Sequence, residues 1–261
     1  MTPEQIQEAA RLLLQARGDH RQIPAIPESC RPATVEDGYL VQDELIRLWG
    51  LEVGGWKVGA TTPPWQEKVG VKEPIAGRML VPFMRPSPAE FFGGAFHMRI
   101  VEPEYAYRLG RDLPPSGRPY GRDEVLDAVE TVHPAIEIVD SRLAGGLAAG
   151  APSLVADNAV AAAFVYGTAI PDWRRRDLVN APVRITIDRE IVGQGDGREA
   201  GGDPANPLVW LANDRARRGD GLKRGQFVTT SSCAGVHRAP AVATVVADFG
   251  ELGRAEVRFT G

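Results

Sequence analysis

Apolar residues recur at helical spacing in two N-terminal segments, and then give way to short alternating runs. In the first segment Ile6, Ala10, Leu13 and Leu14 share one helical face. Thr2 is a good N-cap, Pro3 suits the first helical position, and Gln5 completes a capping box. Residues 18–33 are polar and proline-bearing, hence a connector. Thr34 opens a second helix with Asp37 three residues on, an apolar stripe of Val41, Leu45, Leu48 and Trp49, and Gly50 as its stop. Both helices are amphipathic, so each needs a surface to cover.

From residue 53 the pattern changes to Gly, Pro and short apolar runs, the signature of strands and turns. Strands are predicted at 53–60, 96–107, 134–140, 183–188, 226–230, 240–248 and 255–259. Helices are predicted at 123–132, 157–165 and 207–218. Asn206 would cap the last of these, with Pro207 at its first position and Arg215, Arg217 and Arg218 at its negative end. Residues 193–206 read as a glycine-rich loop after a hairpin. There is no internal repeat. The expected organisation is a helical extension over 1–52 and a β-rich domain over 53–261.

Composition narrows the function. The 261 residues are 43% hydrophobic and 25% charged, ordinary for a globular chain large enough to bury a substantial core. A net charge of −4 argues against bulk electrostatic binding to nucleic acid or anionic membranes, and Arg174–Arg176 read as a solvated turn. Cys30 and Cys233 form no metal-binding spacing and no disulfide framework; buried thiols in a reducing compartment are expected. The N-terminus carries acid early and has no basic region ahead of an apolar one, so it is not read as a signal peptide. No apolar run approaches the ~20 residues of a membrane span, so the expected location is the cytoplasm.

Candidate chemistry lies in Ile100-Val101-Glu102-Pro103-Glu104-Tyr105-Ala106 and in Pro134-Ala135-Ile136-Glu137-Ile138-Val139-Asp140. In a strand Glu102 and Glu104 point the same way, roughly 6.6–6.8 Å apart. Pro103 forbids a ladder bond at its nitrogen, which predicts an edge or bulge. Glu137 sits in a buried-looking strand, where a lone carboxylate is costly unless paired or metal-bound. Two such charges about 4 Å apart repel by roughly 4 kcal/mol at an effective dielectric of 20. A hard dication would resolve the conflict, one nearby lysine would bring the sum to zero, and all-oxygen ligation selects Mg²⁺, Mn²⁺ or Ca²⁺ over zinc. Spacing by itself also admits separate surface or salt-bridged glutamates. Arg142 and Asp140 read either as a structural ion pair or as a substrate contact; Asp157 and Asn158 as a helix N-cap or site residues; His133 as a turn residue; and the loop 144–152 as a cover for the site.

At these residues the chain resembles the fumarylacetoacetate hydrolase superfamily, in its 2-keto-4-pentenoate hydratase and 4-oxalocrotonate decarboxylase branch. The matching stretches are Gly55-Trp56-Lys57-Val58-Gly59-Ala60, Glu102-Pro103-Glu104, Pro134 through Arg142 (PAIEIVDSR), Ala156-Asp157-Asn158-Ala159 and Pro207–Leu211 (PLVWL). The resemblance implies an α+β fold with a mixed, rolled β-core, outer helices and an N-terminal helical extension, assembled as dimers or multiples of dimers. It implies Glu102, Glu104 and Glu137 as ligands of Mg²⁺ or Mn²⁺ and Lys57 as the catalytic lysine. Arg142, Asp157, Asn158 and His237 are the candidate substrate contacts, the last in a late loop that the family places near the pocket. The implied activity is that of a metal-dependent lyase, hydratase-like, on a short 2-oxo acid or 2-hydroxy-dienoate in aromatic catabolism. A 2-oxo acid decarboxylase, an acylpyruvate C–C hydrolase and a non-catalytic binding homologue are the alternatives. The metal would act as a Lewis acid, and a nearby cation with partial burial would lower the Lys57 pKa. Two positions depart from the pattern: Ile75 stands where the hydratases carry an acid, and Val160 where they carry a serine. Both make the pocket more apolar.

Overall fold

The computed structural model describes residues 1–261. Helix α1 (Pro3–Gly18) opens with the expected box: the Gln5 amide donates to Thr2 Oγ1 and the Thr2 amide to Gln5 Oε1. Helix α2 (Val35–Trp49) opens with Thr34 and Asp37 in the same arrangement, and it ends at Gly50, whose φ of 67° is left-handed. The two helices enclose an apolar cluster with Ile23, Ile26 and Leu143. The N-terminal helices thus cover the segment that follows the Glu137 strand.

The remaining elements, in chain order, are β1 (Val53–Gly59), α3 (Pro63–Val69), β2 (Ile75–Leu80), β3 (Met84–Pro86), β4 (Ala89–Phe92), β5 (Ile100–Leu109), α4 (Arg122–Asp127), β6 (Val129–Val139), α5 (Ala151–Ala156), β7 (Ala161–Tyr166), β8 (Pro182–Ile187), β9 (Glu190–Asp196), α6 (Ala205–Arg218), β10 (Phe227–Thr229), β11 (His237–Arg238), β12 (Ala243–Asp248) and β13 (Arg254–Thr260). One sheet runs β2-β1-β10-β5-β6-β7-β3, with β11 also on β5; the other runs β4-β13-β12-β8-β9. Parallel pairs (β1 with β10, β3 with β7, β4 with β13) mix with antiparallel ones, so the mixed α+β core is as expected.

Strand alternation decides what faces the site. On β5, Val101, Tyr105, Tyr107 and Leu109 join the main core with Ile136 and Ile138 of β6 and residues of the second sheet. Glu102, Glu104 and Glu137 occupy the intervening positions and so take the opposite face. Trp56 and Val58 likewise enter the core, which turns Lys57 to the carboxylate side.

Several expectations are corrected. Pro103 is neither at an edge nor in a bulge: it pairs with Ile136 on β6, and its carbonyl accepts from the Cys233 amide on the other side. Its missing donor falls in the gap between β10, which pairs with residues 106–108, and β11, which pairs with residues 100–101. The helix expected at 123–132 stops at Asp127, because Val129 onward pairs with β5. The helix expected at 157–165 is absent: residues 158–160 form one tight turn, and 161–166 are β7, paired antiparallel with β6. Asp157 and Asn158 therefore cap no helix there. Helix α6 begins at Ala205, so Asn206 lies inside it, while Asp203 accepts from the Ala205 amide. Residues 193–196 belong to β9, and only the remainder of that stretch is loop. Both cysteines are free and buried.

Candidate metal centre

The centre is built by register. Glu102 and Glu137 are direct cross-strand partners, and Glu104 follows two positions along, opposite Ala135. Like charges facing each other across a ladder destabilise a sheet. Here one oxygen from each of the three carboxylates lies within 4.8 Å of the others. Glu104 Oε2 accepts from the Ser231 amide at 3.0 Å. Glu104 Oε1 and both oxygens of Glu137 are buried with no hydrogen-bond donor. Lys57 Nζ approaches Glu137 Oε1 at 3.2 Å, an ion pair off the line of a good hydrogen bond.

Electrostatics follow from burial. Burial first, and Glu137 second, push the Glu102 carboxyl up to about 7. Burial and both neighbours hold Glu104 well above the carboxylate range. Glu137 is raised by burial and partly relieved by Lys57. Burial opposes the Lys57 ammonium, but Glu137, Glu102 and Glu104 outweigh it and raise its pKa, against the lowering expected from sequence. Three donor-free, buried carboxylate oxygens fit a hard dication, which satisfies them and offsets their repulsion.

Beside the cluster opens a cavity of about 360 Å³. Lys57 and Glu102 line it, with Trp65 and Val69 of α3, Ile75 of β2, Leu147 and Leu154. Leu147 belongs to the loop expected to cover the site. Val160 also lines the cavity, at the end of an unusual backbone run: Asn158, Ala159 and Val160 have φ of 56°, 48° and 58°. Each non-glycine residue there costs of order 1–3 kcal/mol unless its surroundings enforce it. They do: Asn158 Oδ1 accepts from the Arg78 amide at 2.7 Å, and its Nδ2 donates to the Arg78 carbonyl at 2.8 Å. Gly77 permits this approach, since a Cβ there would lie 2.2 Å from the Asn158 carbonyl oxygen. Ile75 and Val160 are thereby held against the same pocket.

The structure brings Lys57, Glu102, Glu104 and Glu137 together, and it places the other candidates outside the cavity lining. Arg142 pairs with Asp140 and lines a separate cavity with Arg17 and Trp49. Asp157 accepts from Ser141 Oγ and the Arg142 amide, and so ties the loop after β6 to α5. Asn158 clamps β2. His237 pairs with Val101 on β5, and its Nε2 lies 2.7 Å from the Ala234 carbonyl, while Gly235 and Val236 reach the cavity. His133 bonds Gly167 and Thr131, away from the carboxylates. Sequence reasoning missed Ser231, Ser232 and Glu199, all of which line the cavity. The hydroxyl-rich run Thr229–Ser232 after a strand was a usable signal; nothing in the sequence marked Glu199.

No family model matches the chain. It is 33% identical over 236 residues to a 2-keto-4-pentenoate hydratase of Paraburkholderia xenovorans, covering 89% of this chain and 86% of that one. The chain belongs to the 2-keto-4-pentenoate hydratase family. Its fold is similar to that of 4-oxalocrotonate decarboxylase from Pseudomonas putida G7 complexed with magnesium and adipate, with a TM-score of 0.91 and 25% identity over 100% of this chain and 99% of that one. The same decarboxylase complexed with calcium and acetate gives a TM-score of 0.89 over the same spans, with 25% identity. Further solved neighbours place the architecture among fumarylacetoacetate hydrolase folds. Metal-complexed relatives of this family and the three carboxylates on one face agree on a divalent cation.

Proposed function

We propose that the chain is a divalent-metal-dependent hydro-lyase that adds water to a 2-hydroxy-dienoate or 2-keto-4-pentenoate. The supporting observation is the cross-strand Glu102 and Glu137 pair with Glu104, donor-free on three oxygens, beside Lys57 and a largely apolar cavity. Glu102, Glu104 and Glu137 would hold Mg²⁺, with Mn²⁺ as a substitute. The ion supplies Lewis acidity toward the 2-oxo and carboxylate oxygens of the substrate. Lys57, kept protonated by the carboxylates, is placed to pair with the substrate carboxylate or to hand a proton to its carbon chain. The Ser231 amide fixes Glu104, so one of its oxygens stays turned to the cluster. The apolar walls exclude bulk water from the conjugated chain. Arg142, Asp157 and Asn158 shape the pocket through the backbone they hold rather than by touching substrate, and His237 does so through the 234–237 turn.

Purified protein with Mg²⁺ should bleach the ultraviolet absorbance of a fresh 2-hydroxy-dienoate. Glu104→Gln keeps an acceptor for the Ser231 amide but loses a ligand charge, and kcat/KM should fall by about 100-fold or more with the fold intact. Undiminished turnover in that variant would sink the assignment. Decarboxylation is the second reading, favoured by the likeness to the decarboxylase, and CO₂ release separates it from hydration.

We place the enzyme in the cytoplasm; no helix is long and apolar enough to cross a membrane. We also read it as a homodimer or multiple of dimers. Phe92 and Val242 are 60% and 64% exposed, and their chain neighbours Gly93 and Ala241 touch, which makes one apolar face. Phe92→Ser should shift sedimentation toward smaller species; an unchanged profile removes that face from the interface.

A further inference from the structure

The cavity beside the carboxylates is asymmetric in charge. Lys57 is the one cation in its lining, and it is already paired with Glu137. Val69, Ile75, Leu147, Leu154 and Val160 offer hydrocarbon only, and Trp65 adds an uncharged indole. Beyond the cluster the remaining ionisable group in the lining is Glu199, at the solvent-exposed end of a short turn over Gly197–Glu199. Its carboxyl has room because residue 195 is glycine: a Cβ there would lie 2.3 Å from Glu199 Oε1. The adjacent Arg198 does not neutralise it, because that guanidinium is bonded to Asp196. Lys68, the lysine of α3, is outside the lining, its ammonium 4.2 Å from the centre of a Trp65 ring.

We propose that Glu199 and the hydrocarbon wall select 2-oxo acids carrying a single carboxylate and an uncharged, apolar tail, and reject dicarboxylates. This rests on the reading of the three glutamates as the anchor for a 2-oxo acid. With the 2-oxo acid end on the cluster, a second carboxylate at the far end of the chain would lose water against Ile75 and Val160 with no unpaired cation in the lining to receive it, only neutral donors such as the Thr62 and Ser231 hydroxyls. It would also approach the unneutralised charge of Glu199, and like-charge juxtaposition is a strong discriminator. An alkyl tail meets neither cost. The selection favours hydration of a monocarboxylic dienoate over decarboxylation of a dicarboxylic one, which divides the two readings above by the shape and charge of this wall.

The experiment is calorimetric titration of the Mg²⁺-loaded protein with 2-oxohexanoate and 2-oxoadipate, which share a carbon count and differ in the terminal carboxylate. 2-Oxohexanoate should bind about 10- to 100-fold more tightly. Glu199→Gln should strengthen 2-oxoadipate and leave 2-oxohexanoate within about twofold, and Glu199→Lys should narrow the gap further or reverse it. Equal or tighter binding of 2-oxoadipate by the unaltered protein overturns the proposal. A gap unchanged in both variants overturns the part assigned to Glu199. If neither acid binds in the presence of Mg²⁺, the metal-anchor reading itself fails, a result distinct from loss of selectivity.

Discussion

Protons and metal compete for the same three side chains. Glu102 keeps its proton up to about 7 in the fold, whereas an unperturbed carboxyl releases it near 4.5. Mg²⁺ affinity should therefore rise from about pH 6 to about pH 8, with protons released on binding. Calorimetry in buffers of different ionisation enthalpy reads both. In the chelated protein the folded chain binds more protons than the unfolded one between those pKa values, so stability should fall as pH rises through that window. A chelated sample that gains stability from pH 5 to pH 7 would contradict this. At this scale the sequence was informative. Glu102 and Glu104 could be put on one face by alternation, and Glu137 stood out as an acid among Ile136, Ile138 and Val139. Glu199 could not be seen, because its place in the pocket depends on a glycine four residues earlier and on a segment distant in the chain.

The elements carry these residues with little slack. Gly55 lies against β10, and a Cβ there would sit 2.2 Å from the Phe227 carbonyl oxygen. Gly55→Ala should force β1 from β10, cost about 1–3 kcal/mol in urea unfolding, and lower turnover by moving Lys57 two residues on. Normal turnover in a destabilised variant would show that Lys57 tolerates the shift. The helical elements with caps were legible: Thr34, Asp37 and Gly50 bound α2 at the expected residues. The errors fell where tertiary pairing overrode propensity. Ala159–Ala163 looks helical in isolation, yet β6 offers ladder partners to Ala161–Tyr166, and Phe164 and Tyr166 stack at 5.7 Å beside Phe227. Pro103 misled in the same way, because the gap between β10 and β11 is a property of the assembled sheet.

For the whole molecule, the metal is a stabilising ligand. Mg²⁺ at a hundredfold excess over its Kd should add about 2.7 kcal/mol. In a chain of this size that raises Tm by about 5–10 °C over a chelated sample. Glu104→Gln should lose most of this shift, and a shift that survives would place the ion elsewhere. Rigidity is also unevenly distributed. β5 and β6, which bear the carboxylates, are each flanked by strands on both sides. Much of the cavity wall comes from α3, which has no buried residue, and from turns at 146–149, 158–160 and 231–236, with Ile75 of β2 and Leu154 of α5 completing it. Descent with change can thus rework the wall by insertion or substitution while the ligands keep their register. One carboxylate frame can persist under different reactions, as a hydratase relative and a decarboxylase of the same fold illustrate.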